Sequence, residues 1–504
     1  MRASQRGAIL LAGLSGTLLA LAFPYFSLWP LAWIALVPLF VVLSEAGPMA
    51  GAMSGYVFGL ALFGITLRWS AELDPPGSWL IWAAFVAIEA LIPAAYGAVV
   101  SLYSRGLRVG AARPLFLAAS WTLVEYLRSR GAYALTWSQI SYSQLPSGVV
   151  VQLADLTGAW GVSFIVVLVN ACVAEVWMQR RAARVAGDAP EGPGRALIVY
   201  ASVVLIALSY AGWRWFGLPA ITGQTVSVAC VQPDVDPHEK WNPQRFSHCL
   251  QALEEATARA AAHGASLIIW PETAVPAPVL TDAALRARLT ALAVRGGVSI
   301  LVGSTERADD GSARNSGFLV APDGRFSERY DKMHLVPFGE YLPLRSLLGR
   351  VPPFNEIADL APGTDQTVLK APSAEIGLMI CFESTFSDIA RAFVARGARL
   401  LVVITNDGWF NHTSAAEHHI AMSAMRSIEQ RMWLVQCGNT GISAFVDPRG
   451  GMHEKTALFT SSEIYANVPL GSVGSLYQAW GDWFIAVLAV CCLGCVVARK
   501  KQGS

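Results

Sequence analysis

Apolar residues are concentrated in two blocks of this 504-residue chain, and that unevenness limits its possible folds more than any other feature. Overall, 54% of residues are hydrophobic and only 14% are charged, too apolar for an ordinary soluble protein. The excess lies in roughly the first 215 residues and the last 25, while the stretch between has normal polar content. A bilayer core about 30 Å thick needs about 20 apolar helical residues. Eight runs approach that length: Ala8–Phe23, Pro30–Leu43, Ala50–Leu67, Trp79–Tyr103, Pro114–Leu127, Trp160–Met178, Ala196–Trp213 and Trp483–Val497. The second and fifth are the weakest. Tyr25, Trp29, Trp69, Trp79, Trp213, Trp215 and Trp483 stand at span ends, as interfacial belts require. Ala20-Leu21-Ala22 resembles a signal-peptidase site, but Pro24 and the further spans favour an uncleaved anchor.

Basic residues set the expected orientation. Arg2 and Arg6 precede the first span, and Arg105, Arg108 and Arg113 separate the fourth and fifth. Arg180, Arg181, Arg184 and Arg195 separate the sixth and seventh, and Arg499, Lys500 and Lys501 follow the last. With eight spans all four groups share one side, the cytoplasmic one. Glu72–Asp74 and the long polar block fall opposite, in the periplasm of a bacterial inner membrane. The expected organisation is a bundle of about seven helices over 1–217, a periplasmic domain over 218–480, and a last span with a cytoplasmic tail over 481–504. Glu89, Glu125 and Glu175 lie within or near spans, where a carboxylate requires a partner or a cavity.

A net charge of +1 and the lack of a basic stripe argue against nucleic acid as a partner. The eight cysteines form no C-x-x-C pair in the polar block, and Cys492-Leu493-Gly494-Cys495 sits in an apolar run as packing residues. His418 and His419 lack metal-ligand spacing and read as part of an amphipathic helix. Neither a metal nor a cofactor is expected.

In the polar block, Val226–Val231, Leu267–Trp270, Ser299–Gly303, Gly317–Val320, Ile376–Ile380 and Leu400–Ile404 read as buried strands. Arg245–His263, Asp282–Arg295 and Glu417–Gln430 read as amphipathic helices between them. The class is α/β, and no internal repeat is visible. Three apolar runs end in chemically useful groups: Glu272 after Trp270-Pro271, Lys332 after Tyr330-Asp331, and Cys381 after Ile376–Ile380. A free thiol has a pKa near 8.5, so a catalytic cysteine needs a base or a nearby cation. Glu272 can supply the base, and Lys332 can supply charge to a thiolate or an oxyanion. Each residue alone has a plainer reading, as core cysteine, helix-start glutamate or loop lysine. Their combination, each closing its own element, suggests thiol acyl chemistry.

The segments Trp270-Pro271-Glu272-Thr273, Tyr330 to Tyr341 (YDKMHLVPFGEY) and Cys381-Phe382-Glu383 resemble the three signature segments of the nitrilase, or carbon–nitrogen hydrolase, superfamily. That resemblance implies an α-β-β-α sandwich and a Glu-Lys-Cys triad. The Lys332–Tyr341 motif, set between seven spans and one, is similar to a membrane branch of the superfamily, the bacterial apolipoprotein N-acyltransferases. The resemblance implies Glu272 as general base, Lys332 as oxyanion stabiliser and Cys381 as the acylated nucleophile. It makes Glu340 and Glu383 supporting carboxylates, puts Trp241 on a mobile arm over the site, and adds Trp409 and Glu429 as further residues implicated in activity. The implied partners are a phospholipid acyl donor, phosphatidylethanolamine by resemblance, and diacylglyceryl apolipoproteins as acceptors in the last step of lipoprotein maturation. Phe382 departs from the family's frequent tyrosine and removes a hydroxyl, but leaves the backbone N–H as an oxyanion donor. A membrane-anchored amidase and a transporter with a periplasmic receptor domain remain as alternatives. An amidase needs only one anchoring helix, and the inverted repeats common in transporters are not seen.

Overall fold

The computed structural model describes residues 2–73, 78–104, 112–131, 133–187, 194–240, 242–308, 310–350, 357 and 359–502. Trp241, Asp74, Arg105 and Arg108 lie outside the described residues. The chain divides into a helical unit, Met1–Leu218 with Trp480–Ser504, and an α/β unit, Pro219–Ala479.

The helical unit contains α1 (Arg2–Ala20), α2 (Val37–Glu45), α3 (Pro48–Thr66), α4 (Ser78–Glu89), α5 (Leu91–Ser104), α6 (Arg113–Arg128), α7 (Ala159–Ala186), α8 (Arg195–Gly217) and a C-terminal helix, Trp483–Gln502. Among the described residues, four stretches are long and apolar enough to cross a membrane: Pro48–Thr66, Ser78–Ser104, Ala159–Ala186 and Arg195–Gly217. The second expected span is not one continuous helix. A 3-10 turn over Trp29–Trp33 precedes α2, and both pieces begin near a proline, which lacks the N–H that would continue a helical ladder. Glycines let α3 and α5 meet backbone to backbone. A Cβ on Gly55 would stand 2.0 Å from the Pro93 carbonyl, so no larger residue fits that approach. The carboxylates near the spans are all partnered. Arg128 Nε meets Glu89 at 2.7 Å, Arg113 Nη1 meets Glu175 at 3.2 Å, and Glu125 accepts from Trp121 Nε1 and the Ile140 N–H, both at 3.0 Å.

The α/β unit is a sandwich of two six-stranded sheets. Sheet one, in spatial order β12-β1-β2-β3-β4-β5, uses Ser462–Pro469, Thr225–Gln232, Leu267–Ile269, Ser299–Arg307, Ala313–Val320 and Tyr330–Asp331. Sheet two, in order β11-β10-β9-β8-β7-β6, uses Met452–His453, Ala444–Val446, Leu434–Gly438, Leu400–Thr405, Ala374–Ile380 and Leu369–Ala371. Counted from β12 and from β6, each sheet runs through one antiparallel, two parallel and two antiparallel pairings. The inner faces interlock, for Leu378 of β7 fills the space where a Cβ on Gly317 of β4 would stand. Helices α9 (Pro243–Ala262) and α10 (Ala283–Gly296) cover sheet one through Leu250, Leu253, Leu285, Leu289 and Leu292. Helices α11 (Ser387–Ala395) and α12 (Ala415–Gln430) pack on β7 and β9 of sheet two. The fold is therefore an α-β-β-α sandwich joined to a helical bundle.

All six expected strands are present. The other six are short or lie toward sheet edges, or, like β9, carry a polar residue within the run. Gln436 is fully buried in β9, with its Nε2 donating to the Ile442 carbonyl at 3.1 Å, so its polarity hid a core strand.

Candidate active site

Glu272 and Lys332 reach the site from the ends of two strands of sheet one. After β2, the Pro271-Glu272-Thr273 turn lies flat on β3, where a Cβ on Gly303 would come within 2.4 Å of the Pro271 carbonyl. A glycine there is required by this close approach. Glu272 is buried, and its Oε1 accepts from Asn315 Nδ2 of β4 at 2.7 Å. Lys332 directly follows β5 and is only 1% exposed. Its Nζ donates to Glu272 Oε1 at 3.3 Å and to Glu340 Oε1 at 2.9 Å. Asn315 Nδ2 also donates to Glu340 Oε1, at 3.0 Å, and the other Glu340 oxygen accepts from the Val336 N–H at 2.8 Å. One cation thus sits between two carboxylates, with an amide bridging both. Burial alone would depress the ammonium's pKa, but Glu340 and then Glu272 outweigh it and hold Lys332 above its ordinary value.

Cys381 comes from sheet two, on the first residue after β7. Its φ is +53°, a left-handed conformation that costs an L-residue about 1–2 kcal/mol and must be held by its surroundings. The residue as a whole is half-buried. Burial of its surroundings pushes its pKa well up and the Glu272 charge pushes it further, while Lys332 opposes both. Glu383, two residues on, is fully buried and braces the turn. Its Oε2 accepts from the Ile380 N–H at 2.8 Å, and its Oε1 accepts from Tyr330 Oη at 2.8 Å and from the Met333 and His334 N–H groups at 2.7 and 3.2 Å. Burial raises its pKa to about 7 against the hydrogen bonds from Ile380, Met333 and Tyr330 and the charge of Lys332. Glu383 therefore ties the Cys381 turn to the backbone just after Lys332.

The remaining expected residues are placed differently. Glu429 lies on α12 in a fully buried pair with Arg426 at 2.9 Å and accepts from Ser387 Oγ at 3.2 Å. Arg426 in turn donates to the Thr385 carbonyl at 2.8 Å, so Glu429 supports the end of the Cys381 turn. Trp409 is 43% exposed in a 3-10 turn, Asp407–Phe410, after β8. Phe382 packs edge-on against Phe386 at 5.0 Å.

Sequence reasoning missed Asn315, Asp407 and Lys240 as site residues and set His419 on a helix face without a role. Lys240 is buried and donates to the Glu272 carbonyl at 3.2 Å and to Thr273 Oγ1; burial pulls its pKa down to about 8. Asp407 and His419 meet beside Cys381, and the three donor atoms lie within 4.8 Å of one another. His419 Nδ1 lies 2.9 Å from Asp407 Oδ1 and Nε2 lies 3.0 Å from the Cys381 carbonyl, so both ring nitrogens are engaged within the protein. The cluster is a hydrogen-bond relay.

A cysteine, a lysine and two carboxylates gather at the strand ends of an α-β-β-α sandwich, and the carbon–nitrogen hydrolase family model matches residues 227–478. A second model, the apolipoprotein N-acyltransferase N-terminal domain, matches residues 15–172. The chain is 34% identical to the apolipoprotein N-acyltransferase of Geobacter metallireducens, over 98% of this chain and 96% of that one. It is 32% identical to that of Gloeobacter violaceus, over 100% of this chain and 96% of the relative. An amidase from Nesterenkonia sp. is similar at 22% identity, covering 54% of this chain and 98% of that one, with a TM-score of 0.40. The chain belongs to the apolipoprotein N-acyltransferase family and, with its long apolar helices, is a membrane protein and an acyltransferase.

Proposed function

We propose that this enzyme moves a fatty acyl chain from a membrane phospholipid to the α-amino group of a diacylglyceryl-cysteine at a lipoprotein's N-terminus, through a thioester on Cys381. The observation that carries the reading is Lys332, locked between Glu272 and Glu340 opposite a cysteine held in a left-handed turn. In the first half-reaction Glu272 takes the thiol proton and Cys381 Sγ attacks the ester carbonyl. A C–S bond forms, the C–O bond breaks, and Glu272 returns the proton to the departing lysophospholipid oxygen. Lys332 cannot give up its charge easily between two carboxylates, so it offers a fixed positive charge to the developing oxyanion. In the second half-reaction the acceptor amine attacks the thioester. A C–N bond forms, Glu272 takes the amine proton, the C–S bond breaks, and Glu272 passes that proton to the departing Cys381 thiolate. Phosphatidylethanolamine is the proposed donor.

An acyl donor with two fatty chains stays in the bilayer, which is why the thiol belongs on a chain with apolar helices. The basic groups argue for cytoplasmic termini and a periplasmic catalytic unit. A reporter near Gly187 is expected in the cytoplasm and one near Asp310 in the periplasm; finding both on one side overturns this orientation.

Enzyme purified without acceptor should carry a fatty-acyl adduct in intact-mass analysis, removable by hydroxylamine and mapping to Cys381. Cys230, Cys249 and Cys437 are internal controls. An adduct on any of these, or full activity of Cys381→Ala, overturns the proposal.

A further inference from the structure

We propose that Asp407 and His419 form a positioning pair for the nucleophile, with His419 held doubly protonated beneath Cys381 and donating to its carbonyl. This rests on the reading of Cys381 as the nucleophile.

The protonation state follows from the partners. The Cys381 carbonyl can only accept, so a hydrogen on His419 Nε2, 3.0 Å away, makes that bond. Asp407 Oδ1, 2.9 Å from Nδ1, is a carboxylate oxygen and also accepts from Thr405 Oγ1 at 2.8 Å. A free carboxyl loses its proton some two to three pH units below a free imidazole, so the shared proton resides on the ring. The result is an imidazolium, with burial opposing and Asp407 favouring its charge; Asp407 prevails and raises its pKa. Ser384 Oγ, in the Cys381 turn, lies 3.0 Å from Nε2 and accepts from Ser423 Oγ of α12 at 2.9 Å, so the turn and α12 hold the ring together.

Two consequences reach the thiol. The left-handed turn at Cys381 is held at its N–H side by Glu383, through Ile380, and at its carbonyl by His419. The ring also places a positive charge within 4.8 Å of Sγ, where it favours the thiolate against the Asp407 charge, which pushes the thiol's pKa up. Gly441 protects the arrangement, since a Cβ there would stand 2.6 Å from Asp407 Oδ2. The titratable groups around the ring are Asp407, Cys381, Glu383 and, across the site, Glu272; α11 and β9, also packed on α12, carry Asp388, Arg391 and Cys437, and α12 itself carries Glu417, His418, Arg426 and Glu429.

The test uses the full-length enzyme in detergent, its thiol first freed with hydroxylamine: the pH profile of Cys381 alkylation by iodoacetamide, which needs no acyl substrate, read beside single-turnover acylation from a phospholipid donor and Tm. In His419→Gln the amide can still donate to the Cys381 carbonyl, but the ring charge is gone. Its alkylation midpoint should move up by about one pH unit, since an opposite charge nearby is worth that or more. His419→Ala loses the donor too, and acylation should fall about 10²-fold, as expected for a misplaced reacting atom. His419→Gln should recover most of that rate. An alkylation profile in folded His419→Gln that matches the parent overturns the proposal, as does equal acylation by the Gln and Ala variants. Should His419→Ala fail to fold, the Gln profile alone decides. Failure here leaves the Cys381 adduct untouched, so it is distinct from failure of the proposed reaction.

Discussion

Sheet one and sheet two each bring a buried cation to Cys381, and they neutralise it differently. Lys332, from sheet one, lies between Glu272 and Glu340, with Asn315 donating to both carboxylates. His419, on the sheet-two side, has one carboxylate partner, Asp407, and spends its other nitrogen on the nucleophile's own carbonyl. The first arrangement leaves an ammonium whose charge is secure and which faces the chemistry. The second uses its charge to hold backbone. Paired buried charges are costly to break singly, because the survivor stays desolvated. Each flank should therefore fail in its own way.

Lys332→Met should have the largest effect. It removes the fixed charge and leaves Glu272 and Glu340 facing each other, so single-turnover acylation should slow by about 10²–10³-fold, the range for losing an oxyanion donor. Near-normal acylation would move Lys332 out of the chemistry.

Glu383→Gln tests the tie between the flanks. Gln presents an NH₂ where one carboxylate oxygen accepted backbone N–H groups, leaving a buried donor unpaired. A loss of about 1–3 kcal/mol is expected, read as a lower midpoint in thermal or denaturant unfolding. An unchanged midpoint would mean that the two turns hold themselves.

Asn315→Ala should be milder. Both carboxylates keep Lys332, so acylation should fall about tenfold, the equivalent of one hydrogen bond to a charged group. A loss as large as that of Lys332→Met would make Asn315 an equal partner on the sheet-one flank.

The smallest effect is a pH dependence on the sheet-two flank. The folded His419 ring holds its proton more tightly than free histidine, whose pKa is about 6.5. Its stabilisation is therefore complete below about pH 6.5 and is lost as pH rises through the higher folded value. Parent Tm should fall more than that of His419→Gln on going from pH 6 to pH 9. Parallel curves would mean that the ring is neutral in the fold.

Legibility in the sequence differed between the flanks in the same way. Glu272, Lys332 and Cys381 each close an apolar run, so strand ends could be read and the chemistry followed. Glu340 and Glu383 were reached through the motif segments that contain them. Asn315 sits within β4 with no local signal, because its importance comes from two carboxylates delivered by other loops. His419 was readable only as one position on an amphipathic helix. Asp407 is twelve residues before it, after β8, and only the packing of α12 on the Cys381 turn brings the pair together.

The membrane character, the α/β class of the polar block and the choice of Glu272, Lys332 and Cys381 as candidates follow from local patterns: run length, alternation, and which residue ends a strand. These depend on neighbours in the chain, and the sequence alone determines them. The repeated pairing order of the two sheets was decided by the tertiary structure. So were the Lys332 clamp and the Asp407–His419 pair, because buried charges are stable only where distant segments bring them partners.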